Sequence, residues 1–186
     1  MKRRTLLTAG LLGPAIVGTA AAVPAAAGAS GTGQHELRLK ELGLNLPAAP
    51  NPVATYVAYR RSGSTLYLAG LGPALSETAK TRGRVGRDLT VEEGYAAARL
   101  AGLNVLALLR SACGGTLDPV VQCLRVGAFV ASADDFHDQP KVVNGASDLF
   151  VEVFGEAGLH TRFAVGVNTL PFNIAVEIES VWEVRP

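Results

Sequence analysis

Four groups of side chains in this sequence could do chemistry. The first is Arg162 with Glu177. Both stand in the largely apolar stretch HTRFAVGVNTLPFNIAVEIESVWEV, His160 to Val184. A guanidinium and a carboxylate on neighbouring strands make either a structural ion pair or a site, and spacing by itself favours the ion pair. The second group is Asp134-Asp135-Phe136-His137-Asp138, acids around a histidine. Its spacing fits no ligand set, and acids ahead of a helix serve the helix dipole, so no metal is expected. The third is the polar stretch Ser76 to Asp88 with Arg82, Arg84, Arg87, Gly83 and Gly86. No aromatic residues are interleaved there for base stacking, so it reads as a solvated connection. The fourth is the pair Cys113 and Cys123, one predicted at a helix end and the other in a strand. They read as two free, mostly buried thiols, neither bridged nor nucleophilic.

These groups need elements to hold them. His35 to Leu44 reads as a short helix on the domain edge. Leu46 to Pro52, with Pro47, Pro50 and Pro52, reads as an extended linker. Tyr56 to Arg61 and Thr65 to Ala69 form a strand pair turned by Ser62-Gly63-Ser64, and Gly70, Gly72 and Pro73 are expected to break the second strand. Thr90-Val91-Glu92-Glu93 is a capping box. The helix it opens runs to about Ala112, buries Tyr95, Ala98, Gly102, Leu106 and Leu109, and stops at Gly114-Gly115. Val120 to Ala131 reads as a central strand. A second helix from about Pro140 to Phe154 buries Val142, Val143, Ala146, Leu149, Phe150 and Val153, and Gly155 ends it. Phe163 to Val167 and the alternating Ile174 to Val184 are the last two strands, with Pro171 in their connection. The order strand, strand, helix, strand, helix, strand, strand predicts an α+β fold, two helices on one face of a mixed sheet. Strand order stays open.

The chain has 186 residues and a formal net charge of +1, enough length for one domain with a core. Lys2, Arg3 and Arg4 lead the chain and no acid precedes Glu36. Setting those three aside from the 17 basic residues leaves 14 against 16 acidic ones. That near-neutral body argues against nucleic acid as a partner. Residues 1–29 read as an export signal: Arg3-Arg4, an Ala/Gly-rich apolar run to Val23, and Ala27-Gly28-Ala29 ahead of Ser30. The arginine pair points to the twin-arginine route, and cleavage would leave no stable membrane association. An uncleaved anchor is the alternative, weakened by Gly10, Gly13, Pro14, Gly18 and Pro24. Residues 30–52 are then an extension and linker, and 53–186 the domain.

The C-terminal stretch resembles the signature of the RidA/YjgF family, the reactive-intermediate deaminases. An Arg opens a strand (Arg162), an apolar run follows (Val165, Val167), then Leu170-Pro171 and Val176-Glu177-Ile178-Glu179. Upstream, Pro52 to Tyr56 resembles the entry to the family's first strand. Leu68 to Pro73 resembles its Ser-Gly-Gln-x-Pro element, with Ala69 for Ser and Leu71 for Gln. Val143-Asn144-Gly145-Ala146 resembles its helix segment with a pocket Asn. Ala164 stands where a Cys is common. Asp88 to Tyr95, DLTVEEGY, is similar to a divergent branch.

The resemblance implies a chorismate-mutase-like fold and a homotrimer with pockets between subunits. It implies hydrolysis of small 2-imino or enamine acids to 2-keto acids and ammonia, with no cofactor and no metal. Arg162 would hold the substrate carboxylate and Glu177 would orient or activate water. Tyr56, Ala69, Gly70, Asn144 and Ala164 would line the pocket. The alternative is a non-catalytic trimer that binds a small carboxylate in the same cleft. RNA cleavage, ascribed to some relatives, fits poorly with export and near-neutral charge.

Overall fold

The computed structural model describes residues 33–73 and 79–186. The predicted export signal, Ser30 and the start of the arginine-bearing loop at Ser76 lie outside the described residues. Three helices, α1 (Gln34–Glu41), α2 (Val91–Ala112) and α3 (Gln139–Phe154), accompany five strands. The strands are β1 (Tyr59–Ser62), β2 (Thr65–Leu71), β3 (Val120–Ala131), β4 (Thr161–Val167) and β5 (Val176–Val184). They form one mixed sheet in the order β1-β2-β5-β3-β4. Only β3 and β4 are parallel. A parallel pair needs a crossover, and α3 supplies it.

The helices begin and end where the local chemistry dictates. The Thr90 hydroxyl accepts from the Glu93 amide at 3.1 Å, and the Glu93 carboxylate accepts from the Thr90 amide at 2.9 Å. At the other end of α2 the chain turns left-handed at Gly114 (φ 81°). The Gly115 amide then reaches the Arg110 carbonyl at 2.8 Å.

Alternation along β5 separates the two sheet faces. Val176, Ile178, Ser180, Trp182 and Val184 are buried under α2 and α3, while Glu177, Glu179, Val181 and Glu183 stay half-buried on the other face. Trp182 is the hub, with Phe150 and Phe154 of α3 each 5.2 Å away by ring centroid. Its indole N–H donates to Ser180 Oγ at 2.9 Å. Each large apolar side chain removed from water here contributes about 1.5–3 kcal/mol. The helices themselves lie close: a Cβ on Gly145 would sit 2.1 Å from the Tyr95 carbonyl oxygen, so only glycine fits.

Among the described residues no helix covers the second face. There Phe129 stacks edge-on against Phe163 at 5.6 Å, Arg125 lies over the Phe163 ring at 5.4 Å, and Arg125 pairs with Glu179 at 2.7 Å. The short helix α1 is clipped to the far ends of α2 and α3. Glu36 accepts from the Leu117 amide at 3.0 Å and pairs with Arg110 at 3.1 Å, while Arg38 donates to the Glu152 carbonyl at 2.9 Å.

Several expectations change. β4 and β5 are not neighbours, because β3 lies between them. β2 is not broken at Gly70. It runs on to Leu71 through a register shift against β5 between Leu68 and Leu71, a bulge that absorbs the glycine. β1 starts at Tyr59 instead of Tyr56, β5 starts at Val176 instead of Ile174, and α1 ends at Glu41. The arginine-bearing loop is anchored, not merely solvated: Arg84 donates to the Ser132 carbonyl at 2.7 Å and pairs with Asp134 at 2.5 Å. Asp138 pairs with Lys141 at 3.0 Å, so both acids are engaged by cations of the fold. Cys113 and Cys123 are free.

Candidate active site

Arg162 stands on β4 opposite Val126, which is fully buried beneath the helices. Its side chain therefore rises on the helix side of the sheet and meets α3. One terminal nitrogen, Nη1, donates to Asn144 Oδ1 and to Ser147 Oγ, both at 2.9 Å. Nη2 reaches the Pro140 carbonyl at 3.4 Å. Asn144 and Ser147 are three residues apart on α3 and so share one helix face. The guanidinium has five N–H groups. Nε–H and one Nη2–H remain without a partner among the described residues, and together they form one edge of the fork. That edge matches the two oxygens of a carboxylate.

His160 completes the cluster. It lies two residues before Arg162, on the same side. One ring nitrogen, Nε2, is 3.0 Å from Ser147 Oγ, and Nδ1 is 2.7 Å from the Gly158 carbonyl oxygen. A carbonyl can only accept, so Nδ1 carries the hydrogen and Nε2 receives the Ser147 hydroxyl proton. Burial lowers the His160 pKa, and Arg162 lowers it further against the opposing Gly158 carbonyl. The ring is neutral at pH 7. Ala164, two residues beyond Arg162, is half-buried and packs against the core.

Glu177 is elsewhere. It stands on β5 opposite Phe129 of β3, on the uncovered face. Its carboxylate has no hydrogen-bond or ion-pair partner among the described residues, and burial pushes its pKa up. It lies against Gly70 in the β2 bulge, where a Cβ would come within 2.1 Å of Glu177 Oε1. The neighbouring Ala69 is half-buried, and its amide donates to the Ala58 carbonyl at 2.8 Å. Tyr56 is half exposed and shares an open hollow with Thr55, Val57 and Arg60.

Five of the seven expected site residues thus fall into two groups, and Tyr56 and Ala69 belong to neither. Arg162, Asn144 and Ala164 come together on the helix side, and Glu177 with Gly70 on the open face. Within one chain, and among the described residues, Arg162 and Glu177 do not pair. An intervening strand and the alternation of side chains separate the two within a chain. The sequence reading missed Ser147 and His160. The signal was present as Asn144-x-x-Ser147 at helical spacing and His160-x-Arg162 at strand spacing.

The family model described as "YjgF/chorismate mutase-like, putative endoribonuclease" matches residues 36–181. The chain belongs to the YjgF family. This YjgF chain is 42% identical over 155 residues to Protein TCP17 of Trypanosoma cruzi, covering 83% of the chain and 96% of that relative. It is 30% identical over 138 residues to a 2-iminobutanoate/2-iminopropanoate deaminase of Dermatophagoides farinae, covering 74% and 92%. Among solved structures it resembles the Agrobacterium tumefaciens protein Atu1372, whose function is unknown. There the identity is 42%, the TM-score 0.74, and the coverage 81% of this chain and 92% of that one.

Proposed function

We propose that this YjgF-family chain hydrolyses small 2-imino or enamine acids to 2-keto acids and ammonia, in pockets between the copies of a homotrimer. The observation that carries this reading is the Arg162 guanidinium. Asn144 and Ser147 hold it at 2.9 Å, and one edge of its fork stays unpaired. A planar fork fixes a carboxylate in bidentate fashion and so orients the adjacent imine carbon. Kinship with an iminobutanoate deaminase at 30% identity supports the same substrate class.

The split between the two groups of site residues supports a shared pocket. Glu177 and Gly70 lie on a sheet face that no helix of the described residues covers, so a second copy packed there would bring its Arg162 side to the Glu177 of the first. Burial pushes the Glu177 pKa up, which suits a carboxyl group that takes up a proton more readily than an exposed one. Tyr56 and Ala69 would close the pocket walls, and no cofactor is required. The body would act outside the cytoplasm, starting at Ser30 after twin-arginine export.

A second reading, a trimer that binds a small carboxylate without turnover, is favoured by the methyl groups at Ala69 and Ala164, where the family pattern has Ser and Cys.

One assay separates them. Protein beginning at Ser30 is added while an amino-acid oxidase generates 2-iminopropionate or 2-iminobutyrate and semicarbazide traps the imine. The expected result is suppression of the trapped adduct by wild type and none by folded, assembled Arg162→Ala. Full activity in that variant would sink the site assignment. An inactive but folded wild type would leave the binding reading.

A further inference from the structure

We propose that a hollow at the carboxyl ends of β3 and β4 binds a small neutral polyhydroxy molecule, a monosaccharide or polyol. It goes beyond the imine hydrolysis proposed above and uses none of the residues assigned to it. Gly166, at its centre, stands four residues past Arg162 on β4, about 13 Å along the strand.

The hollow has a volume of about 260 Å³. That lies just below the roughly 300–1,000 Å³ of pockets for drug-sized ligands, so its occupant is small. It opens beside the first turn of α3, outside the carboxyl ends of the parallel pair, the crevice in which open α/β sheets take ligands. Ser132, Asp134, Phe136, His137, Gln139 and Asn168 line it. Gly166 makes the room. It stands opposite the fully buried Val130 and so faces the helix side of the sheet. A Cβ there would come within 2.6 Å of Gln139 Nε2 and 2.7 Å of Ser132 Oγ.

The floor presents a donor and an acceptor together. The Gln139 amide nitrogen donates to the Phe136 carbonyl at 2.7 Å and to Ser132 Oγ at 3.4 Å. A carbonyl can only accept, so the nitrogen and not Oε1 faces Phe136, and both amide hydrogens are spent. Gln139 Oε1 and the Ser132 hydroxyl proton are left without a partner among the described residues. Ser132 is only 5% exposed, and a hydroxyl proton so far from solvent needs an acceptor. A ligand hydroxyl both accepts and donates, so two of them on adjacent carbons answer both groups. The rim has the same double character, because an imidazole (His137) and an amide (Asn168) each carry a donor and an acceptor. Charge argues against an ion. Asp134 pairs with Arg84 at 2.5 Å, and Arg84 donates to the Ser132 carbonyl at 2.7 Å. The carboxylate repels an anion, and the guanidinium beside it disfavours a cation. The half-buried Phe136 ring adds an apolar wall for the C–H groups of a sugar.

The test is a two-dimensional NMR titration of the full-length protein with D-glucose, glycerol and myo-inositol, and separately with ammonium and phosphate. The expected result is saturable shifts with at least one of the three polyols, at a Kd of roughly millimolar, centred on Ser132, Gln139, Gly166 and Asn168. Gly166→Val should fill the hollow and abolish them. Ser132→Ala should weaken binding roughly 3–10-fold, which keeps the test alive if the glycine variant does not fold. Shifts from none of the polyols, as for a hollow that holds only water, overturn the proposal. So do polyol shifts that persist unchanged in the folded variants, because the ligand then sits elsewhere. Saturation by ammonium or phosphate alone overturns it in favour of an ion site. The deaminase reading stands or falls separately, by the semicarbazide assay.

Discussion

At the scale of single residues, the site divides into groups whose partners are visible and one whose partner is not. Among the described residues Arg162 has three protein acceptors, whereas Glu177 has no hydrogen-bond or ion-pair partner and stays half-buried. Burial alone raises its pKa. The sign of the consequence is fixed. A carboxyl whose folded pKa exceeds its unfolded value contributes stability while protonated, and that contribution is lost as pH rises through the folded value. Glu177→Gln should therefore raise Tm modestly at pH 7. Its advantage should vanish below the ordinary glutamate range, where the two unfolding curves should converge. A Gln variant less stable than wild type at pH 7 would mean that a cation already faces Glu177. Arg162 and Asn144 were legible in the sequence because a family pattern marks them. Ser147 and His160 were not. A serine within a helix and a histidine at a strand entry each have commoner uses, and only the α3–β4 crossover brings them to 3.0 Å.

At the scale of elements, spacing and caps predicted the two long helices nearly to the residue. The capping box at Thr90, the Gly114-Gly115 stop and the buried stripes all depend on local chemistry, so the sequence carries them openly, except that Tyr95 is only half-buried and donates to Asp148. Strand order does not work that way. β5 enters between β2 and β3, and no local signal records which strands it will separate. For that reason Arg162 and Glu177 stand on strands that do not touch within one chain. The bulge in β2 was misread as an end because Gly70 is a breaker in isolation, yet its absent side chain leaves room for Glu177. Helix packing gives a direct test. Gly145→Ala would press a methyl onto the Tyr95 carbonyl, backbone that cannot rotate away. It should cost about 1–3 kcal/mol in denaturant unfolding. A neutral result would show that α2 and α3 can separate without loss.

At the scale of the whole molecule, the described residues place helices on one side of the sheet only. The amphipathic pattern of β5 predicted that one face would be half-buried. Phe129, Phe163 and Val165 lie there, and Val165 is 42% exposed. In the proposed trimer this face meets a second copy. Val165→Glu should then shift the molecule to monomer in sedimentation and reduce turnover roughly 10-fold or more, although Arg162, Ser147 and His160 are untouched. A fully active monomer would show that one chain suffices and would end the shared-pocket reading.

Trp182 is the sole tryptophan of the chain, wedged between Phe150 and Phe154 under the helices and away from the uncovered face. The protein thus carries its own optical probe, and in the proposed trimer that probe would not face the contacts between copies. Its emission should stay blue while copies dissociate and shift red only when the helices leave the sheet. One fluorescence titration beside one sedimentation titration would separate disassembly from unfolding without any added dye.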